Sequence, residues 1–206
     1  MLVRSDFLGN LTATGREALI AYGVTTILDL RSDSEVVNRP NPFADGSGPA
    51  YVHRELIPDG EMQEIGDSPD MSDRYLVILD TRPQAFRAIF DSVSEAHGGV
   101  LFHCYAGKDR TGVVAAMLLA LAGVSPDDIA LDYGETDLCL APQYEKWISE
   151  AAPEQRDAFR KELRCPPERI LGVLDHLQRK WGGVAGYLEA SGMARANIDR
   201  LITRLA

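Results

Sequence analysis

The sequence predicts an α/β fold in which helices flank a central, mostly parallel sheet. Strand-like stretches lie in the first half of the chain, separated by turn-rich or helical sequence, and helical patterns dominate the second half. Strands joined by such crossovers pair in parallel, and a parallel sheet places its ligand site beyond the carboxyl ends of its strands. A chain of 206 residues that is 45% hydrophobic suits one domain, which we expect to span residues 1–206.

The first half of the sequence predicts one short helix and three strands. Thr14 and Glu17 stand in capping-box spacing ahead of an apolar periodicity, which predicts a helix that ends near Gly23. Runs rich in β-branched and apolar residues predict buried strands. These strands are residues 24–30, 51–56 and 100–103. We expect residues 31–35, which are polar, to form a loop after the first strand.

Helical periodicity covers most of the remaining sequence. Ser125 is a predicted N-cap that precedes a proline, so a helix should run from there to about Leu140. The other predicted helices are residues 75–79, 83–96, 111–121, 153–163, 167–181 and 195–205. Residues 58–73 lack periodicity and are a candidate lid, although an acidic run is more often a solvated surface. The acids of this segment are Asp59, Glu61, Glu64, Asp67, Asp70 and Asp73.

Charge and cysteine content limit the classes of partner and compartment. Lys and Arg number 21 against 31 Asp and Glu, a formal net charge of −10, which disfavours nucleic acid and anionic bilayers as partners. Three cysteines without a CxxC pair favour a reducing compartment over a disulfide scaffold or structural zinc. No signal peptide is evident, and the longest apolar run, residues 113–124, is too short to span a bilayer. We therefore expect a cytoplasmic protein without stable membrane insertion.

The most informative stretch is HCYAGKDRTG, residues 103–112, which lies between a predicted strand and a predicted helix. Five residues separate Cys104 from Arg110, which lets the loop curl so that its N–H groups and the helix N-terminus converge on one anion. Gly107 and Gly112 allow the required torsions and close approaches. The residues expected to bind the phosphoryl group are Tyr105, Ala106, Gly107, Lys108, Asp109 and Arg110.

The two ends of this loop supply the predicted chemistry. N–H dipoles, the helix terminus and Arg110 all favour the thiolate of Cys104, which makes this cysteine the candidate nucleophile toward phosphorus. The planar fork of Arg110 can hold two equatorial oxygens of the transferring group, which a lysine cannot do. Thr111 is expected to donate its hydroxyl to the sulfur when the sulfur leaves.

The remaining polar residues of the motif have supporting candidate roles. His103 is expected to pack beneath the loop and order its backbone. Lys108 and Asp109 are expected at the rim, where Lys108 would attract polyanionic substrates and Asp109 would orient water or a substrate hydroxyl. A single cysteine or surface lysine would not indicate a catalytic site. The complete motif of residues 103–112 does, because its residues all favour the same chemistry.

The motif resembles the active-site loop of the protein tyrosine phosphatase superfamily. It is most similar to the bacterial tyrosine and dual-specificity group that also dephosphorylates phosphoinositides. Supporting matches extend over nearly the whole chain: Arg4-Ser5, residues 25–35, residues 57–59 and residues 182–205. The resemblance implies a three-layer fold and a cofactor-free reaction through a cysteinyl-phosphate intermediate. The resemblance implies phosphotyrosine as the main substrate. It implies phosphoserine or phosphothreonine and phosphoinositides as additional substrates. Lys108-Asp109 looks like the phosphoinositide-phosphatase version of the loop.

The resemblance also implies a general acid on a separate loop. Asp59 occupies the matching position, with Asp29 and Asp109 as competitors. In a Pro-Asp-Gly sequence Asp59 is also a good turn residue. We expect Arg31 and Glu35 to form a structural pair behind the loop.

The other two cysteines are expected to have structural rather than catalytic roles. Cys139 is expected in the core and Cys165 in a loop. Either is a candidate for trapping oxidised Cys104 in a disulfide.

The sequence departs from the pattern of this group at its amino terminus, and two other functions stay open. The group usually carries an amino-terminal stretch with an Asn-Phe-Arg-Asp-like motif, and nothing corresponding precedes Arg4. Either the start of the chain is truncated or the domain closes without that piece, and the edge of the sheet and one rim of the pocket stay open. The main alternatives are a phosphoinositide-selective phosphatase and a phosphate-binding pseudophosphatase, which usually lacks the Cys or the Arg. Rhodanese-like and arsenate-reductase-like chemistry fit poorly, because rhodanese loops lack the KDRTG tail and those reductases place the loop near the amino terminus.

Overall fold

A computed structural model describes residues 1–61 and 70–205, and its centre is a sheet of four strands. The strands are β1 (Leu2–Ser5), β2 (Val24–Asp29), β3 (Ala50–His53) and β4 (Gly99–His103). The helices before β4 are α1 (Ala13–Ala21), α2 (Asp33–Asn38), α3 (Met71–Thr81) and α4 (Pro83–Glu95). Those after β4 are α5 (Asp109–Leu121), α6 (Pro126–Cys139), α7 (Ala141–Glu150), α8 (Arg156–Leu163), α9 (Pro167–Trp181), α10 (Val184–Ala190) and α11 (Arg195–Leu205).

All described strand pairs are parallel, in the order β1-β4-β2-β3. The α/β prediction with a parallel sheet flanked by helices is therefore confirmed. Ser5 and Asp29 are both in register with His103, and His53 is in register with Asp29. The four strands thus end in one row, so the segments that follow them meet at a single edge of the sheet. This is the edge at which parallel sheets place their ligand sites.

Alternate residues of the central strands pack into two separate cores. Leu28 and Phe102 belong to the larger core, which helices α3 to α6 and α9 to α11 supply. Ile27 and Leu101 point to a smaller core on the other face, with Phe43. Because side chains alternate along a strand, this division shows helical or loop layers on both faces of the sheet.

Several element boundaries differ from the sequence prediction. Thr12, rather than Thr14, caps α1, because the Thr12 hydroxyl accepts the N–H of Gly15 at 3.1 Å. The strand expected at 51–56 is only four residues long, β3. After it the chain leaves the sheet, and its backbone bonds to the ends of β2 instead: Arg54 N–H donates to Asp29 O and Leu56 N–H to Leu30 O.

Four elements were missed by the sequence prediction: β1, α2, α7 and α10. The segment expected as a polar loop is in part helix α2. Ser32 is its N-cap, and a capping box joins the Ser32 hydroxyl to Glu35 N–H and the Glu35 carboxylate to Ser32 N–H. The polar residues that suggested a loop are those that begin a helix.

Only part of the candidate lid falls within the described residues. Asp70 caps α3 through Ser72 N–H, Asp73 lies in its first turn, and Glu61 forms an ion pair with Arg82. Glu64 and Asp67 lie outside the described residues, so the lid stays a prediction. Across residues 1–61 and 70–205, no helix has both the length and the apolar character needed to cross a membrane.

Candidate active site

The loop between β4 and α5 lies at the common edge of the strands. The Leu30 N–H donates to the His103 carbonyl at 2.8 Å, and the Phe7 N–H donates to the Tyr105 carbonyl at 3.1 Å, so the segments after β2 and β1 both hold the beginning of the loop. Gly107 has φ +69°, and a Cβ there would lie 2.4 Å from the Ser5 carbonyl oxygen. Only glycine fits between the loop and the end of β1.

The structure brings Cys104 and Arg110 together in a buried setting. Cys104 is 2% exposed and Arg110 is 8% exposed. Burial alone would lower the pKa of Arg110, but hydrogen bonds to Glu35 and the charges of Cys104 and Glu35 raise it instead. The arginine therefore stays cationic beside the sulfur.

Glu35 holds the guanidinium of Arg110 in a bidentate ion pair. Arg110 Nη1 donates to Glu35 Oε2 at 2.5 Å and Nη2 donates to Oε1 at 2.8 Å. Burial would raise the pKa of Glu35, but the hydrogen bonds and charge of Arg110 lower it below its ordinary value. The ion pair uses two of the five N–H groups of the guanidinium, which leaves three for substrate oxygens.

Arg31 and Glu35 do not form an ion pair with each other, because each charged group has another partner; they are joined only by a hydrogen bond from Arg31 Nη1 to the Glu35 backbone carbonyl at 3.2 Å. Arg31 forms an ion pair with Asp29 at 2.7 Å, and both side chains are fully buried. Tyr51 also donates to Asp29, at 3.0 Å. Burial would raise the pKa of Asp29, but the hydrogen bonds and the charge of Arg31 lower it. With its oxygens engaged in the interior, Asp29 has no route to a leaving group, which weakens its candidacy as the general acid.

His103 is placed where it can order the loop. Its Nδ1 lies 2.8 Å from the Cys104 carbonyl oxygen and its Nε2 lies 2.9 Å from Asn41 Nδ2. Burial lowers its pKa, so the ring is neutral. A neutral ring satisfies both contacts when Nδ1 donates to the Cys104 carbonyl and Nε2 accepts from Asn41.

Asp59 lies at the N-terminus of α2, close to the arginine. Its carboxylate accepts the Ser34 N–H at 2.9 Å and the Ser34 hydroxyl at 2.6 Å. Hydrogen bonds from Ser32 and Ser34, together with the charge of Arg110, lower its pKa. Asp59 is therefore ionised at neutral pH in this arrangement, whereas a general acid must carry a proton when substrate is bound.

Asp109 begins α5 and is hydrogen-bonded through a chain of phenols. The Tyr75 hydroxyl donates to Asp109 Oδ1 at 2.5 Å and lies 2.8 Å from the Tyr133 hydroxyl. Both tyrosines are 1% exposed, while the Asp109 side chain is 36% exposed. One oxygen of Asp109 is thus fixed from the interior while part of the side chain faces solvent.

Lys108 does not project from the rim as expected. It is 3% exposed, its Nζ donates to the Glu162 carbonyl at 2.9 Å, and it lies 3.7 Å from Asp109 Oδ1. The C-terminal turn of α8, which contains Glu162, covers it. Sequence patterns could not show this cover, because Glu162 is 54 residues away.

The other residues of the motif occupy three different environments. The Thr111 hydroxyl is buried and has no hydrogen-bond partner in the described part of the chain, so it is free to donate to a sulfur. Ala106 is half-buried. Tyr105 is 37% exposed, and its hydroxyl accepts from Arg39 Nη1 at 2.8 Å.

The other cysteines divide differently from the prediction. Cys139 is exposed rather than in the core: it is the last residue of α6, beyond the buried Tyr133 and Thr136. Cys165 lies in a loop as expected but is buried, and this burial raises its pKa. All three cysteines are free. Among the described residues, no group of three or more potential ligands is arranged to hold a metal.

Sequence reasoning missed Glu35 as the partner of Arg110 and missed the tyrosines behind Asp109. The Ser32-x-x-Glu35 spacing was a signal for a helix N-terminus that would have placed Glu35 near the sheet edge. No comparable local signal marks Tyr75 or Tyr133, which are distant from the loop in sequence.

Comparison with known proteins agrees with this architecture. The tyrosine phosphatase family model matches residues 1–206, so the chain belongs to the tyrosine phosphatase family. The predicted enzyme class, a phosphoric monoester hydrolase, is confirmed with it. The chain is 33% identical to a tyrosine-protein phosphatase of Nostoc commune, over 98% of this chain and 73% of the relative. It is 31% identical to the triple specificity protein phosphatase PtpB of Mycobacterium tuberculosis, over 97% of this chain and 88% of the relative.

Proposed function

We propose that the enzyme hydrolyses phosphotyrosine-type phosphomonoesters in proteins through a cysteinyl-phosphate intermediate. The observation that carries this proposal is the bidentate pair between Arg110 and Glu35, which fixes a buried guanidinium beside Cys104 on one loop. A preorganised cation aimed at the charge that develops on a transferring phosphoryl group is the main source of catalysis in such reactions.

The first step forms a bond from the Cys104 sulfur to phosphorus while the bond from phosphorus to the substrate oxygen breaks. The three free N–H groups of Arg110 and the loop amides bind the nonbridging oxygens. Asp59 donates a proton to the leaving oxygen. The Asp59 carboxylate is ionised in the arrangement described. To act as the acid it must release its hydrogen bonds with Ser34 and take up a proton when substrate binds.

The second step returns the sulfur to its starting state. Water, oriented by Asp109 or Asp59, attacks phosphorus, and the bond from sulfur to phosphorus breaks with the electron pair returning to sulfur. The unpartnered Thr111 hydroxyl stabilises the departing thiolate. Inorganic phosphate leaves, and the water proton passes to the carboxylate.

The wider substrate range is part of the proposal. Activity on phosphoserine, phosphothreonine and phosphoinositides would fit the resemblance of the motif, and the M. tuberculosis relative is named for triple specificity. A phosphoinositide-selective enzyme has less support, because Lys108 is buried under Glu162 rather than presented to substrate. A pseudophosphatase has little support, because Cys104 and Arg110 are both present and adjacent. The cytoplasmic location stays a prediction.

Two variants and a matched control test the nucleophile and the arginine. With a small aryl phosphate, Cys104→Ser should lower kcat by roughly three orders of magnitude or more. Arg110→Lys should lower it by about 10² to 10³, because lysine lacks the bidentate fork. Cys139→Ser, at an exposed cysteine on the outer face of α6, should leave both kcat and KM unchanged. Undiminished turnover by Cys104→Ser would refute the proposal.

The general acid is tested by leaving-group dependence. Loss of the acid harms substrates whose leaving group is a poor one, such as an alkyl phosphate, far more than an activated aryl phosphate. Asp59→Asn should show this unequal loss and should flatten the alkaline limb of the pH profile. If Asp109→Asn shows both effects and Asp59→Asn neither, the acid is Asp109.

A further inference from the structure

Arg39 stands at the mouth of the catalytic loop on two aromatic side chains. It follows α2 directly and is exposed. Its Nη1 donates to the Tyr105 hydroxyl at 2.8 Å, and its guanidinium carbon lies 5.4 Å from the Tyr105 ring centroid and 5.9 Å from that of Phe7. Tyr105 directly follows Cys104. Arg39 therefore belongs to the entrance through which a substrate reaches the sulfur.

Arg39 is bound to no charged group or buried carbonyl among the described residues, unlike the other cations of the site. Arg110 is paired with Glu35, Arg31 with Asp29, and Lys108 is buried against a carbonyl. Within residues 1–61 and 70–205, Arg39 takes part in no ion pair, and its side chain makes one hydrogen bond, to a neutral phenol. Four of its five N–H groups are available to an anion.

The backbone beneath Arg39 is fixed relative to the catalytic loop. Its N–H donates to the Glu35 carbonyl at 3.0 Å, and its carbonyl accepts from the buried Arg31 Nη1 at 2.8 Å. Glu35 in turn holds Arg110. A guanidinium stacked on aromatic faces and anchored in this way loses little further freedom when it binds a ligand, which favours affinity.

We propose that Arg39, supported by Tyr105 and Phe7, forms a second anion subsite that binds the carboxylate of an acidic residue flanking the phosphorylated residue of a protein substrate. The inference rests on the proposed function and adds to it a preference for substrates with an acidic residue beside the phosphorylated residue. A flanking side chain lies beside the entrance when the phosphoryl group is in the loop.

The chemistry of the subsite favours a peptide carboxylate over a second phosphate of a lipid headgroup. A single guanidinium matches one carboxylate as a planar bidentate partner. Recognition of polyphosphorylated headgroups at membranes usually takes a cluster of Lys and Arg, whereas Arg39 is the one exposed cation that contacts Tyr105 among the described residues. The net charge of −10 also opposes approach to an anionic bilayer.

The test compares two phosphotyrosine peptides that differ only in Glu or Gln beside the phosphorylated residue. The wild-type enzyme should prefer the Glu peptide about threefold to fivefold in kcat/KM, the size expected for an exposed charge pair, and high salt should reduce the preference. Arg39→Ala should bring the ratio to about 1, and Arg39→Lys should keep part of it. Arg200→Ala, at an exposed arginine of α11, should leave the ratio unchanged. The ratio of kcat/KM for the Glu peptide to kcat/KM for the Gln peptide is insensitive to a general loss of activity, because such a loss lowers both kcat/KM values.

Two results would overturn the inference. One is an unchanged ratio in Arg39→Ala. The other is that Arg39→Ala loses preference for soluble inositol bisphosphates over monophosphates and keeps its peptide preference, which would assign the subsite to a second phosphate. Dissociation constants of the same peptides on a Cys104→Ser background measure the subsite without turnover. Failure of the proposed catalysis and failure of the subsite are thereby distinguished.

Discussion

Replacing Glu35 by Gln tests whether the bidentate pair both stabilises the fold and aligns the catalytic arginine. The amide keeps the size of the side chain but removes the charge, and it faces Arg110 with one acceptor oxygen where there were two. One charge-assisted hydrogen bond is lost, about 1.5–3 kcal/mol, and breaking a buried pair by removing one partner costs about 3–5 kcal/mol. Because one bond survives, we expect the free energy of unfolding at pH 7 to fall by about 2–4 kcal/mol.

The pH dependence of this loss has a defined sign. The pKa of Glu35 is lowered in the folded state, so the stability that the pair supplies is complete above the ordinary glutamate pKa of ~4.3 and is lost as pH falls through the folded value. The Gln variant has no such loss. Urea unfolding curves of wild type and variant should therefore differ most near neutral pH and should approach each other as the pH falls below the ordinary glutamate pKa of ~4.3.

Kinetics and a control complete the experiment. A guanidinium that is no longer aligned should lower kcat/KM for a small aryl phosphate by about 10²-fold. Glu189→Gln removes the same charge from an exposed pair with Arg195 and should cost less than about 1 kcal/mol, with no loss of activity. If Glu35→Gln unfolds at the same urea concentration as wild type at pH 7 and keeps its kcat/KM, the role assigned to the pair is refuted.

Three other substitutions have defined outcomes. Gly107→Ala should abolish activity and lower Tm, since a Cβ would overlap the Ser5 carbonyl at a positive φ; activity and melting curves check this, and wild-type values would contradict it. Asp29→Asn should destabilise by about 3–5 kcal/mol because Arg31 loses its buried counter-ion, and an unchanged denaturation midpoint would show that the interior relaxes around the charge. Tyr75→Phe should lower kcat more than it raises KM, because the loop carboxylate loses its fixed donor; equal changes in both would indicate a substrate-binding role instead.

The part of the site that sequence alone predicted is the part encoded in one contiguous stretch. Cys104, Arg110 and Thr111 fall within residues 103–112, and the strand and helix on either side have strong apolar patterns. Local sequence therefore predicted the position of the loop between a strand and a helix.

The long-range contacts of the loop could not be predicted in the same way. Glu35 is 75 residues from Arg110, and its pairing depends on how α2 leaves β2 at the shared edge of the sheet. The prediction paired Glu35 with Arg31, which is near in sequence, but the capping box of α2 directs the carboxylate toward the loop and Arg31 turns inward to Asp29.

Burial of single polar or reactive side chains was also beyond the local pattern. Lys108 was expected at the rim, but the C-terminal turn of α8 covers it. Cys139 was expected in the core, but the buried face of α6 carries Tyr133 and Thr136, so the cysteine that ends the helix is exposed. The group that covers Lys108 lies 54 residues away in the chain, and the apolar pattern around Cys139 does not show which face of α6 is buried.

The most direct test of the account is to locate the phosphoryl group during turnover. Acid quench of the wild-type enzyme with an aryl phosphate, followed by digestion and mass spectrometry, should find one phosphoryl group on the peptide that contains Cys104. The adduct should be absent from Cys104→Ser and retained in Cys139→Ser. A phosphoryl group on another residue, or full turnover with no covalent adduct at any quench time, would contradict the mechanism.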